Sequence, residues 1–281
     1  MSANPLAKHF RQPAIYMKLP SAGRFWPSEA LSLPATGDIP VYPMTAKDEI
    51  VLRTPDALMN GQGIIDVIQS CCPNIADAWK MPSIDVDAVL IAIRIASYGN
   101  QMDIDVICPN CQHEHTIGVD LSYLLDNVNV PDYTSKIKFT EINVKLHPQQ
   151  YFSVNAANQI RYEEQRILNA LTAENVPEDV KLGEYTQHIK KIVDLNIDIL
   201  VNSTEYIETD DGTVVNDPAF IREFYLNCDT EIVHGLQAKL ADIAKAAGVP
   251  DIKNTCPACE KEYSLPMEFD YSNFFARKSS A

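Results

Sequence analysis

The sequence predicts an α+β protein: a mainly helical core, a zinc-ribbon-like pair of cysteine hairpins and an extended proline-rich N-terminal arm. Three observations carry this prediction. Two Cys-x-x-Cys turns stand far apart in the chain, an almost uninterrupted apolar run lies between Asp85 and Gly99, and prolines and aromatic residues crowd residues 1–43.

The turns are Cys108-Pro109-Asn110-Cys111 and Cys256-Pro257-Ala258-Cys259. Four thiolates from two such turns suit one tetrahedral zinc, and a proline after the first cysteine stiffens each turn so that both sulfurs aim at one point. The likeness extends beyond the cysteines. Adding 148 to each residue number carries Glu114 onto Glu262, Val119 onto Met267, Asp120 onto Glu268, Leu121 onto Phe269 and Tyr123 onto Tyr271. Each half therefore reads as a cysteine turn followed by a short strand, the two halves being separated by a helical insert. The predicted ligands are Cys108, Cys111, Cys256 and Cys259, holding one structural zinc ion. A redox Cys-x-x-Cys opens a helix in a βαβ unit, whereas strand-like runs follow Pro109 and Pro257. His113 and His115 make two separate zinc sites conceivable, but Glu262 and Tyr263 stand at the matching positions of the second half, so a single four-thiolate site is expected and the histidines read as exposed strand residues.

With 281 residues and 46% hydrophobic content, the chain can bury a substantial core. Seven cysteines, three of them outside the proposed site, fit a reducing compartment better than a disulfide scaffold, and Cys71 and Cys72 read as buried thiols. No N-terminal signal pattern is present and the longest strongly apolar segment, Ala88 to Ile93, ends at Arg94, so a soluble intracellular protein without a membrane partner is expected. The net charge of −15 opposes nucleic-acid binding, which draws its affinity from Lys and Arg at phosphates.

Taken in order, residues 1–44 form the arm. Seven prolines interleave with Phe10, Tyr16, Phe25, Trp26 and Tyr42, which forbids a long helix and favours extended chain. Two arrangements stay open: an arm whose aromatic residues, Phe25 and Trp26 above all, anchor it to another subunit or partner, and an arm folded back on its own core. Residues 45–129 are read as a helical core plus the first cysteine hairpin. Thr45 and Asp48 have capping-box spacing, Pro55 is placed to restart a helix, and Gly61 and Gly63 mark a break. Asp85 is expected to cap a central buried helix that ends at Gly99, and Arg94 within it to pair with a carboxylate such as Asp66, Asp85 or Asp87. Strands are expected over Met102–Ile107 and Thr116–Leu121. Residues 130–250 read as a mainly helical insert, with strand character at Ile137, Phe139 and Ile142, helices over about 149–171 and 178–202, and a hairpin with a type I′ turn at Asp211-Gly212. A helix capped by Asp217-Pro218 and another from Thr230 to Gly248 complete it. Residues 251–281 carry the second cysteine hairpin, closing on the first.

Catalytic signatures are lacking. His113-Glu114-His115 does not have the i, i+4 spacing of a metalloprotease, Gly61 and Gly63 do not make a phosphate loop, and no nucleophile elbow or deaminase motif occurs. Four cysteines would also fill a zinc ion's coordination and leave no position for a reacting water.

The phrases Leu19-Pro20-Ser21-Ala22-Gly23-Arg24-Phe25-Trp26, Tyr42-Pro43-Met44-Thr45-Ala46-Lys47-Asp48-Glu49, Thr54-Pro55-Asp56-Ala57-Leu58-Met59-Asn60-Gly61 and Arg94-Ile95-Ala96-Ser97-Tyr98-Gly99, followed by the first cysteine turn and finally by Asn273-Phe274-Phe275, occur in an order that resembles the baseplate hub protein family of T-even-type contractile-tailed phages. The resemblance is strongest over residues 19–121. It implies a non-enzymatic structural component or assembly factor whose partners are other tail or baseplate proteins, found in the host cytoplasm during assembly or in the virion tail baseplate. A zinc-ribbon nucleic-acid-binding regulator is the alternative.

Overall fold

The computed structural model describes residues 4–54, 61–171, 178–267 and 274–275. The helix restart expected at Pro55 and the repeat positions Glu268, Phe269 and Tyr271 lie outside them. The chain forms two units, Met1–Val130 with Ala247–Ala281, and Pro131–Ala246.

The first unit is built on helix α3, Ser83–Tyr98, whose residues Ala88 to Ile93 are buried on every side. Strands β1 (Ile15–Lys18) and β2 (Asp38–Val41) pair antiparallel, Ile15 opposite Val41 and Lys18 opposite Asp38, and pack on α3. Period-2 alternation puts Met17, Ile39 and Val41 into the core. Residues 15–41 thus take the second of the two open arrangements, folded back on their own domain. The reason lies in the alternation: it gives this proline-rich segment an apolar face of its own to bury.

Helix α1, Ala46–Val51, opens with the expected capping box. The Thr45 hydroxyl accepts from the Asp48 N–H at 3.3 Å, and the Asp48 carboxylate accepts from the Thr45 N–H at 2.7 Å. Helix α2, Gln62–Cys71, begins at Gly61, where φ is 78°; Gly63 lies inside the helix, so the break is at Gly61 alone. Arg11 ties these pieces together. Its guanidinium donates to the carbonyls of Pro43 and Ser70 at 2.6 and 2.7 Å and approaches Asp48 at 3.4 Å. Cys71 and Cys72 are buried as expected, and burial pushes the Cys71 thiol up to about 12.

Two expectations about α3 are corrected. Asp85 does not cap the helix, which starts at Ser83; its buried carboxylate accepts instead from the Ser21 N–H at 2.7 Å, the Ser21 hydroxyl at 2.5 Å and the Trp26 indole N–H at 2.7 Å. Burial pushes the Asp85 carboxyl up, against the pull of these donors. The first turn of a helix favours a carboxylate, and here residues 21–26 supply the hydrogen bonds that its burial demands. Arg94 pairs with no carboxylate among the described residues. Its guanidinium lies over the rings of Tyr98 and Phe274, 5.2 and 5.4 Å from their centroids, and among the described residues its Nε and Nη1 have no hydrogen-bond partner. Aromatic faces attract a cation without needing a counter-charge, and that replaces the expected ion pair. Gly99, with φ of 88°, ends the helix.

Strands β3 (Gln101–Ile107) and β4 (Glu114–Asp120) follow as an antiparallel hairpin leading into the short helix α4, Leu121–Asp126. The chain leaves this unit after Val130 and re-enters it at Ala247, and the adjoining residues Asn129 and Gly248 exchange both backbone hydrogen bonds, at 2.8 and 3.1 Å. Strands β9 (Ile252–Thr255) and β10 (Glu262–Leu265) then form the second cysteine hairpin.

The second unit combines four helices with a small sheet. Strands β5 (Lys136–Lys138), β6 (Ile142–Leu146), β7 (Thr204–Thr209) and β8 (Val214–Val215) form an antiparallel sheet in that order, alongside helices α5 (Tyr151–Leu171), α6 (Glu178–Asn202), α7 (Pro218–Asn227) and α8 (Thr230–Ala246). Val144, Leu146, Leu200, Ile207, Ile221, Tyr225 and Leu236 form its core. Asp217 caps α7 by accepting from the Ala219 N–H, with Pro218 at the first position, as the sequence indicates. The β7–β8 turn differs from expectation. Thr209 faces Thr213 across a three-residue loop in which only Gly212 has positive φ (86°), so the turn is not type I′, which needs positive φ at two consecutive residues. No helix among the described residues is long and apolar enough to cross a membrane.

Candidate metal centre

Each cysteine turn is closed by the same pair of backbone hydrogen bonds. The Cys108 N–H donates to the His113 carbonyl at 3.0 Å and the Gln112 N–H to the Cys108 carbonyl at 2.9 Å; the Cys256 N–H donates to the Lys261 carbonyl at 3.0 Å and the Glu260 N–H to the Cys256 carbonyl at 2.9 Å. Gln112 and Glu260 share the left-handed conformation, with φ of 60° and 57°. Strand register agrees as well, Ile107 facing Glu114 as Thr255 faces Glu262. A repeat that the sequence shows as scattered identities is thus a repeat of backbone geometry, residue for residue.

The structure brings all four predicted cysteines together, with every sulfur within 4.8 Å of the others. The Cys108 and Cys259 sulfurs are 3.8 Å apart, and those of Cys111 and Cys256 are 3.6 Å apart. Exchanging the two halves turns one of these pairs into the other, so the two contacts are equivalent under the repeat. A zinc bonded to four sulfurs at about 2.3 Å spaces them by about 3.8 Å, so this cluster has the dimensions of a tetrahedral thiolate site.

The electrostatics point the same way. Burial works against ionising Cys108, but the N–H groups of Cys111 and Asn110 and the neighbouring thiols outweigh it and bring this group down to about 6. Cys111 also has a hydrogen bond that favours its thiolate, from the His113 backbone, yet burial and the other three sulfurs push it up to about 12. Four thiols this close cannot all ionise unaided, and a soft dication compensates their charge. Such an ion would supply cross-linking between the hairpins; with four protein ligands it would have no open position for chemistry.

The histidines lie outside the sulfur cluster. His113 is exposed and its ring stacks on that of His115 at 5.7 Å. The His115 Nε2 is 2.8 Å from the Tyr263 hydroxyl and 3.2 Å from the Asn254 side-chain nitrogen, which also donates to the Tyr263 hydroxyl at 2.9 Å. His115 thus bridges the hairpins, a role that its place in the sequence did not signal.

Residues 15–276 match the family described as T4 bacteriophage base plate protein. No curated protein and no solved structure matches the chain.

Proposed function

The chain belongs to the T4 bacteriophage base plate protein family, and from that premise we propose that it is a non-enzymatic structural component or assembly factor of a contractile-tail baseplate, held in shape by one structural zinc at Cys108, Cys111, Cys256 and Cys259. The observation that carries the reading is the extent of the family match, which takes in both cysteine hairpins and the segment between them. A site on the baseplate hub, in the finished tail or on an assembly intermediate in the host cytoplasm, is the finer form of the proposal, and other tail proteins are the partners. A four-thiolate centre supports a structural role rather than catalysis, because it can cross-link two distant segments but cannot activate water.

The test is recovery of the tagged chain from cells producing tails. It should co-sediment with baseplate intermediates or finished tails, and its removal should leave particles without functional baseplates. Recovery free of tail proteins, together with duplex DNA binding at physiological salt and a steep salt slope, would establish the nucleic-acid-binding alternative instead.

A further inference from the structure

We propose that His115 and Tyr263 form a metal-independent clasp that keeps the two cysteine hairpins docked and the four thiols positioned when no metal is bound. This inference rests on the zinc reading above for its second half only. His115 and Tyr263 are equivalent residues of the two hairpins, as the matched register shows: Val106 faces His115 where Asn254 faces Tyr263. Equivalent residues of two halves can touch only near the axis that relates them, and these two meet with a 2.8 Å Oη···Nε2 contact and an edge-to-face ring arrangement at 6.1 Å. The four sulfurs meet across the same pair of hairpins, which are therefore joined at two places of different chemistry.

Hydrogen-bond accounting fixes the roles. The Asn254 side-chain nitrogen is a donor only, and it points at both the Tyr263 oxygen and the His115 Nε2. The Tyr263 oxygen, accepting from Asn254, turns its own hydrogen to Nε2. That nitrogen must therefore be an acceptor, which puts the ring proton on Nδ1, 3.3 Å from the His113 carbonyl that can take it. The Tyr263 hydroxyl and both ring nitrogens of His115 thus have partners without any metal. The two halves differ here to good effect, a hydroxyl donor on one meeting a ring-nitrogen acceptor on the other. His115 and Tyr263 are positioning residues, acting on the metal through the cysteines.

The test uses the full chain with and without a chelator, and the variants Tyr263→Phe and His115→Ala. In metal-free wild type, amide hydrogen exchange over residues 252–255 and 262–265 should stay protected, and Tyr263→Phe should speed it at least tenfold while leaving residues 83–98 unchanged. Competitive zinc titration should show affinity lowered about 10- to 100-fold in both variants, the range seen when groups supporting metal ligands are removed. Cobalt substituted for zinc should give the same four-thiolate spectrum in wild type and His115→Ala. Wild-type exchange rates in metal-free Tyr263→Phe, or a changed cobalt spectrum in His115→Ala that marks the imidazole as a ligand, would overturn the clasp. Failure of the wild type to bind zinc or cobalt, with exchange still accelerated in Tyr263→Phe, would remove the zinc reading and leave the clasp standing.

Discussion

The two cysteine hairpins share a backbone but not a setting. The first has seven-residue strands whose Ile117 and Val119 are buried, and it runs directly into α4, where Leu121 and Leu124 are fully buried. The second has four-residue strands in which no side chain is buried. Its connections are the sulfur cluster and the His115–Tyr263–Asn254 group. Identical turn geometry is therefore supported on one side by apolar burial and on the other by the cysteine cluster and hydrogen bonding. A local motif can fix how a metal is gripped while leaving open what holds the grip in place.

The largest effect that should sharpen this contrast comes from removing one ligand. Cys256→Ser should abolish tight zinc binding, which for structural four-ligand sites is worth about 10 kcal/mol or more. Metal analysis should fall from one zinc per chain to none, and exchange protection should drop over the second turn, residues 256–261, while the strands of the first hairpin, residues 101–107 and 114–120, keep theirs. Equal loss in both hairpins would break the comparison, since it would mean that the first also depends on the metal.

A smaller and more discriminating effect is expected from paired truncations. Val119→Ala removes buried methyl groups and should destabilise the first unit by about 1–2 kcal/mol. Leu265→Ala deletes a larger side chain in the second hairpin, yet it should cost under about 0.5 kcal/mol because that position is only half-buried. Denaturant melts of the two variants give the order, and a reversed order would mean that the second hairpin has apolar support of its own.

A single-site effect far smaller than ligand loss concerns the ground on which the first hairpin stands. Trp26→Phe keeps an aromatic ring but takes one donor from Asp85, at a cost of about 1–2 kcal/mol. Thermal unfolding should register the loss, while recovery with tail proteins should be unchanged. Weakened recovery with unaltered melting would return residues 15–41 to the role of a partner-binding arm.

The sequence made the centre legible because its information is local. Cysteine spacing, the proline in each turn and the offset between the copies name the ligands without knowledge of the fold. The Thr45–Asp48 box and the ends of α7 were legible for the same reason. What could not be read depends on distant partners. Arg94 lies over the ring of Phe274, which no periodicity links to it, and Asp85 is held by residues some sixty positions earlier. Strands β7 and β8 join a sheet whose other members lie far back in the chain, so their hairpin was foreseeable but the four-stranded sheet was not. In the sequence His115 reads as an exposed strand residue because its partner, Tyr263, becomes a neighbour only after the hairpins meet.

The paired backbone bonds between Asn129 and Gly248 also bear on how the centre comes into being. Each cysteine turn closes within a few residues, but the cluster joins positions 145 and 151 apart in sequence, a contact that an unfolded chain makes slowly. Once residues 131–246 have folded and their flanks are clipped together, only residues 112–128 and 249–255 still separate the sulfurs. Shortening the effective loop in this way lowers its closure cost by about 1.5 kcal/mol. During synthesis the ribosome releases Cys108 and Cys111 well before Cys256 and Cys259, so the early pair waits while the intervening unit folds. Under the zinc proposal, metal capture would be a late event, favoured once that unit has brought its two ends together.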